Sequence, residues 1–315
     1  MPEPTRSHKS TNVRLSALRP LYRAASLFPA LGARLLERAF LSPRRHPWPA
    51  RERAWLDSAS FRTFRSRGRR LAAWTWGEAG PPVLLVHGWE GRGAQLGSFI
   101  EPLLSKGFRV VTFDAPGHGM SEGSRSSVVE MGAAVVDAAQ ELGPFHGAVA
   151  HSVGSAATTV ALHDGARIER LVYIAPPLEL APFLGRVAEA LGLPEEVLPI
   201  ARRNITKRFG FEWESISHHH LAPSMEAPLL VIHDSEDREI EIESGLGLVS
   251  LWRNSRLVVT SGLGHRRILR DEGVVSRAVS FLASYAEMVG TALAPSCPSP
   301  DEARTTRSLP PLFAR

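Results

Sequence analysis

Gly147-Ala148-Val149-Ala150-His151-Ser152-Val153-Gly154-Ser155-Ala156 is the stretch that decides the fold. The apolar run from Phe145 to Ala150 reads as a short buried strand, and good helix formers follow Val153. Ser152 therefore falls on a sharp strand-to-helix turn, its hydroxyl raised above the sheet edge. Small residues two positions either side, Ala150 and Gly154, let strand and helix pass closely. The pattern is G-x-S-x-G with Ala, the next smallest side chain, in first place. A serine in such a corner becomes a nucleophile only with three further parts. It needs a base for its proton, an acid to hold that base, and N–H donors for an oxyanion.

All three can be nominated in order along the chain. Pro81-Pro82-Val83-Leu84-Leu85-Val86 is wholly apolar, a buried parallel strand, and His87-Gly88-Trp89-Glu90-Gly91 follows it. The Trp89 N–H is one candidate oxyanion donor and the Val153 N–H, at the helix start, is the other. The side chain of His87 is read as bracing the loop. A later apolar strand, Pro228 to His233, leads into Asp234-Ser235-Glu236-Asp237-Arg238-Glu239. An acid delivered three or four residues past the strand end favours Asp237, with Asp234 as the fallback; Glu236 and Glu239 read as a solvated turn. Arg256 to Thr260 is β-branched and apolar, and the glycine-rich Ser261-Gly262-Leu263-Gly264-His265 follows. Among twelve histidines His265 is singled out as the base, because it follows a strand and comes after the acid. His118, His151 and His233 read as ordinary loop or strand-end residues.

In this order of parts the chain resembles the α/β-hydrolase superfamily, in its serine esterase, lysophospholipase-like and serine aminopeptidase-type branch, over roughly residues 60–288. Asp114-Ala115-Pro116-Gly117-His118-Gly119-Met120-Ser121 is similar to the family's D-x-x-G-x-G-x-S loop, which implies structural roles for Asp114 and His118. The resemblance implies an α/β-hydrolase fold: a mostly parallel central sheet flanked by helices, with a short helical cap at about 178–224 that shapes the pocket. It also implies a serine hydrolase that cleaves a carboxylic ester or thioester through an acyl-enzyme intermediate, without cofactor or metal. The expected catalytic residues are Ser152, Asp237 and His265, with Trp89 and Val153 as the oxyanion hole. Small acyl esters, including lysophospholipid or monoacylglycerol types, are the substrates the family suggests. Two alternatives remain: an acyltransferase using the same three side chains, and a non-catalytic binding protein of the same fold.

Composition agrees with a globular protein, 43% hydrophobic and 22% charged over 315 residues. No apolar run reaches a membrane span of roughly 18 residues, and the first residues carry no signal-peptide core. The single cysteine, Cys297, excludes an intramolecular disulfide. A cytoplasmic protein is the expectation. Strands are expected near 61–66, 70–77, 82–86, 108–113, 145–150, 169–174, 228–233 and 256–260, the first two as a hairpin turning at Arg67-Gly68. Helices are expected near 95–105, 127–141, 153–163 and 271–288, with a cap helix over 178–191 and another starting at Pro194. The division is a basic arm at 1–58, the catalytic domain at 59–290 and a disordered tail at 291–315.

The arm is unusual. Residues 1–72 hold 16 Lys/Arg against 4 Asp/Glu, a net +12, whereas the rest holds 21 against 28, a net −7. Leu27, Phe28, Leu31, Leu35, Leu36 and Phe40 recur at helical spacing. A helix docked on the body is favoured over contact with an anionic membrane surface, and transit-peptide composition is a third reading. Charge alone suggests nucleic acid, but no recognition motif accompanies it. Consecutive His218, His219 and His220 point in different directions, so no metal is expected there.

Overall fold

Residues 28–292 are described in the computed structural model of the chain, their side chains as far as residue 284. Eight strands form one sheet: β1 (Ser60–Ser66), β2 (Arg69–Trp76), β3 (Pro82–Val86), β4 (Arg109–Phe113), β5 (Phe145–His151), β6 (Ile168–Ile174), β7 (Leu229–Asp234) and β8 (Ser255–Thr260). Side by side their order is β1-β2-β4-β3-β5-β6-β7-β8. The β1–β2 and β2–β4 pairs are antiparallel and all the others parallel. The expected mostly parallel sheet is there, each strand end within one residue of its expected place.

Continuous apolar strands are the cause. In β3, Val83 and Leu85 enter one buried layer while Leu84 and Val86 enter the other. In β5, Val149 faces the first layer, and Ala148 and Ala150 the second. A parallel sheet covered on both faces needs apolar side chains at every position. Each fully buried Val or Leu contributes roughly 1.5–3 kcal/mol.

Between and around the strands lie α1 (Pro29–Leu41), α2 (Ala50–Asp57), α3 (Ile100–Leu104), α4 (Val128–Glu141), α5 (Val153–His163), α6 (Ala181–Leu191), α7 (Val197–Phe209), α8 (His218–Leu221), α9 (Ile242–Leu251), α10 (Gly264–Arg267) and α11 (Glu272–Ala292). Ser127 starts α4 by accepting from the Glu130 N–H at 3.2 Å, a Ser-x-x-Glu capping signal. One expected helix, near 95–105, differs. Gly93–Phe99 is a 3-10 segment with a non-helical Leu96, and α3 keeps five residues. The Trp55 ring lies where a Cβ on Gly97 would stand, and the Asp114 carboxylate accepts from the Gly93 N–H at 2.8 Å. Tertiary packing overrides the helical pattern there. Neither α2 nor α9 was signalled by a strong apolar period.

The arm is docked. α1 packs on α6 and α7, burying Ala33, Leu36 and Leu41. Beyond it, Arg45 donates to the carbonyls of Gly117, Ser121 and Gly123. Phe28 and Leu31 stay exposed. Leu27, the transit-like composition before it, Cys297 and nearly all of the tail lie outside the described residues. Among the described residues, no helix is long and apolar enough to cross a membrane.

The turn from β5 into α5 brings helix and sheet into backbone contact. A Cβ on Gly154 would stand 2.5 Å from the His87 carbonyl oxygen and 2.9 Å from that of Val86. Both are backbone atoms at the end of β3 and cannot rotate away. Gly154→Ala is therefore expected to destabilise the protein by about 1–3 kcal/mol, read as a lower urea midpoint at unchanged m. An unchanged midpoint would show that the corner has slack.

Candidate active site

Ser152 follows β5 directly and caps α5 with φ 53° and ψ −129°. Positive φ at a serine costs on the order of 1–3 kcal/mol, so neighbours must hold it. They do. The Ser152 N–H donates to the Ile174 carbonyl at 2.9 Å, and its carbonyl accepts from the Ser155 N–H and hydroxyl at 2.9 and 2.6 Å. Gly88 comes so close that a Cβ there would meet the Ser152 Cβ at 3.0 Å.

The loops after β7 and β8 bring the nominated acid and base together. His265 Nδ1 lies 2.7 Å from an Asp237 carboxylate oxygen. The other Asp237 oxygen accepts from the Glu239 and Ile240 N–H groups at 2.8 and 3.0 Å. Burial pushes the Asp237 carboxyl up, but the His265 bond and charge, helped by those amides, outweigh it. The carboxyl ends below its ordinary range.

Asp234 has a different place. One of its oxygens accepts from the Glu236 and Gly264 N–H groups, both at 3.0 Å. The other accepts from the Thr260 hydroxyl at 2.7 Å and the Leu263 N–H at 3.1 Å. Asp234 thus ties the two loops together, and Asp237 is the carboxylate that reaches His265.

Ser152 and His265 border the same cavity of about 470 Å³. Among the described residues no hydrogen bond joins the Ser152 hydroxyl to the His265 ring. Such bonds are often long in an unliganded site and tighten when substrate arrives. Trp89 and Val153 line the cavity as well. Among the described residues neither of their N–H groups has an acceptor.

Four other histidines, His87, His118, His218 and His233, brace the surroundings. His87 Nε2 accepts from the Ala115 N–H at 2.9 Å, so Nδ1 carries the proton and donates to the Gly88 carbonyl at 2.7 Å. Burial, then His118, pushes its pKa down to about 3. Asp114 accepts from the Gly93 and Met120 N–H groups at 2.8 and 2.7 Å, and burial raises it to about 6. His118 donates from Nδ1 to the Pro116 carbonyl at 3.0 Å, and burial lowers it to about 4. His233 donates to the Ile240 carbonyl at 2.9 Å. His218 links the Pro177 carbonyl and the Thr159 hydroxyl, at 2.5 and 3.0 Å, while His219 and His220 are exposed. Among the described residues no three His, Cys, Asp or Glu side chains gather as metal ligands.

Two contributions escaped the sequence reading. His151 donates from Nε2 to the His265 carbonyl at 2.9 Å and so holds the backbone of the nominated base. Phe40, from the arm, packs on Trp89 and Trp213 at 6.4 and 5.8 Å and forms part of the cavity wall. The apolar period on α1 showed that Phe40 would be covered, but not by what. Phe183 and Val187 of α6 and Ile205 of α7 line other parts of the wall, as do Phe211 and Trp213.

A family model described as the alpha/beta hydrolase family matches residues 83–278. No curated protein matches the chain. Among solved structures, an esterase of Pyrococcus furiosus is 21% identical, with 77% of this chain and 98% of that one covered at a TM-score of 0.57. A candidate lipase of Acinetobacter baumannii is 17% identical, covering 76% and 95% at a TM-score of 0.58. The thioesterase domain from the curacin biosynthetic pathway is 20% identical, covering 71% and 99% at a TM-score of 0.53. At these identities the likeness is one of fold.

Proposed function

The chain belongs to the alpha/beta hydrolase family, and from that premise we propose that it hydrolyses carboxylic esters or thioesters through Ser152. The observation that carries this reading is the Asp237–His265 bond of 2.7 Å, made at the wall of the cavity that Ser152 borders. The carboxylate holds the proton on His265 Nδ1 and leaves Nε2 free to accept one. As the Ser152 hydroxyl attacks the carbonyl carbon, its proton passes to Nε2 and the carbonyl oxygen becomes an oxyanion. The Trp89 and Val153 N–H groups receive that charge. When the tetrahedral intermediate collapses, the proton on Nε2 goes to the leaving alcohol or thiol, and Ser152 keeps the acyl group. Water then attacks the acyl-enzyme, its proton taken by the same nitrogen, and the acid leaves as Ser152 regains its hydrogen.

Phe40, Phe183, Val187, Phe211 and Trp213 give the cavity an apolar wall, suited to an alkyl chain. Monoacyl lipids of the lysophospholipid or monoacylglycerol type are the substrates that wall fits. The activities named for the structural neighbours agree with acyl chemistry.

A fluorophosphonate probe tests the nucleophile directly. One covalent adduct per chain is expected, mapped by mass spectrometry to the peptide holding Ser152 and blocked by prior incubation with a long-chain monoacyl ester. An unlabelled protein, or an adduct on another serine, would overturn the assignment.

A further inference from the structure

Beside the cavity of Ser152 lies a second, of about 710 Å³, that has no part in the chemistry above. Three separate elements bring cations to its walls: Arg34 and Arg38 from α1, Lys207 and Arg208 from α7, and Arg125 from the loop before α4. All five are exposed, and none forms an ion pair among the described residues. Among the described residues the one acid in the lining is Glu37, which is buried and accepts a hydrogen bond from Asn204 Nδ2 at 2.6 Å. Burial raises the Glu130 carboxyl on balance, with Arg208 a small opposing influence, and Glu130 is already paired with Arg69 at 3.0 Å.

Like charges drawn together repel, and the fold gains nothing visible from the gathering. A concave wall of one sign concentrates its potential on whatever enters. We propose that this cleft is a binding site for a phosphate-rich group, one carrying two or more phosphoryl charges. Guanidinium groups match phosphate oxygens in pairs, and an ammonium adds a point charge that can follow a bent chain of phosphates. A single carboxylate would leave most of the five cations unanswered. A concave site lined by α1 and α7 suits a discrete ligand better than a flat bilayer surface. Among the described residues Leu41 alone is shared with the cavity of Ser152, so the site does not depend on the proposed hydrolysis.

Calorimetric titration of the full chain with inorganic pyrophosphate tests the site. Saturable binding of one pyrophosphate per chain is expected, weakening as salt is raised and tighter than for orthophosphate. The paired substitution Arg38→Gln and Lys207→Gln should weaken it by at least about tenfold while leaving ester turnover unchanged. Arg253→Gln, an exposed arginine outside both cavities, should leave binding as it was. Absence of saturable binding, or equal binding by the paired variant, would overturn the proposal. So would a protein that ignores pyrophosphate yet sediments with phosphatidic acid vesicles and not with phosphatidylcholine ones; the face would then be a lipid-docking surface.

Discussion

Ser152→Ala is expected to lower the turnover of short p-nitrophenyl esters by about 10⁴- to 10⁶-fold with the fold intact. The neighbouring Ser155 hydroxyl is not placed to substitute for its oxygen. Ser155 Oγ donates to the Ser152 carbonyl at 2.6 Å, committed to holding the turn. His265→Ala should cost about as much, and the double variant little more than either, because the two act as one unit. Asp237→Asn should cost roughly 10³- to 10⁴-fold, since an amide nitrogen facing Nδ1 favours the wrong tautomer. Asp234→Asn supplies the contrast. It faces four donors across two loops, so an amide there should cost about 1–3 kcal/mol of stability and only a small factor in rate. Steady-state kinetics beside urea unfolding separates the two aspartates. Ser152→Ala turning over within tenfold of the parent would end the proposed mechanism.

Acid should unfold this protein well above the usual carboxylate range. His87, His118, His151, His218 and His233 are buried, and burial is the main reason each lies below the ordinary histidine value. His87 is pushed to about 3, and His118 and His218 to about 4, from 6.5. The unfolded chain takes up these protons near the ordinary value and the folded chain refuses them. Their stabilising effect is therefore complete above about pH 6.5 and is lost as the pH falls toward 4. Each pKa unit is worth about 1.4 kcal/mol. Three such residues together can rival a typical net stability of about 5–15 kcal/mol.

Asp114, raised by burial to about 6, and Glu130, raised too, act in the opposite sense as the pH falls. Asp234 and Asp237, held low, matter only in stronger acid. The histidines outnumber the two raised acids, so the net effect is destabilising. Tryptophan fluorescence against pH should show a cooperative transition between about pH 6 and 4, with more than one proton taken up per molecule. Urea stability that stays level from neutrality to about pH 4.5 would mean that these rings remain solvated in the folded protein.

Much of the candidate site could be nominated from the chain because its parts sit at strand ends. A buried parallel strand announces itself as an unbroken apolar run, and the first polar or glycine-rich residues after it lie at the sheet edge. That logic led to Ser152, Trp89, Val153 and His265, all of which border one cavity. It also assigned His87 to the backbone rather than to chemistry, and its two bonds to main-chain atoms agree. Choosing between Asp234 and Asp237 was harder. Both follow one strand and both are carboxylates, and only the path of the loop after β8 decides which meets an imidazole.

By itself the sequence determined the elements whose cause is local: eight strands, the capped start of α4, and the turn at Ser152, each written in apolar period and small residues over a few positions. Tertiary structure alone decided what depends on parts far apart in the chain. Phe40 became a wall of the cavity, the first half of the 95–105 segment became 3-10 where Trp55 packs on Gly97, and five cations from three elements came to line one cleft. The physical reason is range. Hydrogen-bonded secondary structure is selected by neighbours along the chain, whereas packing, desolvation and charge act through space between residues whose separation in sequence carries no signal.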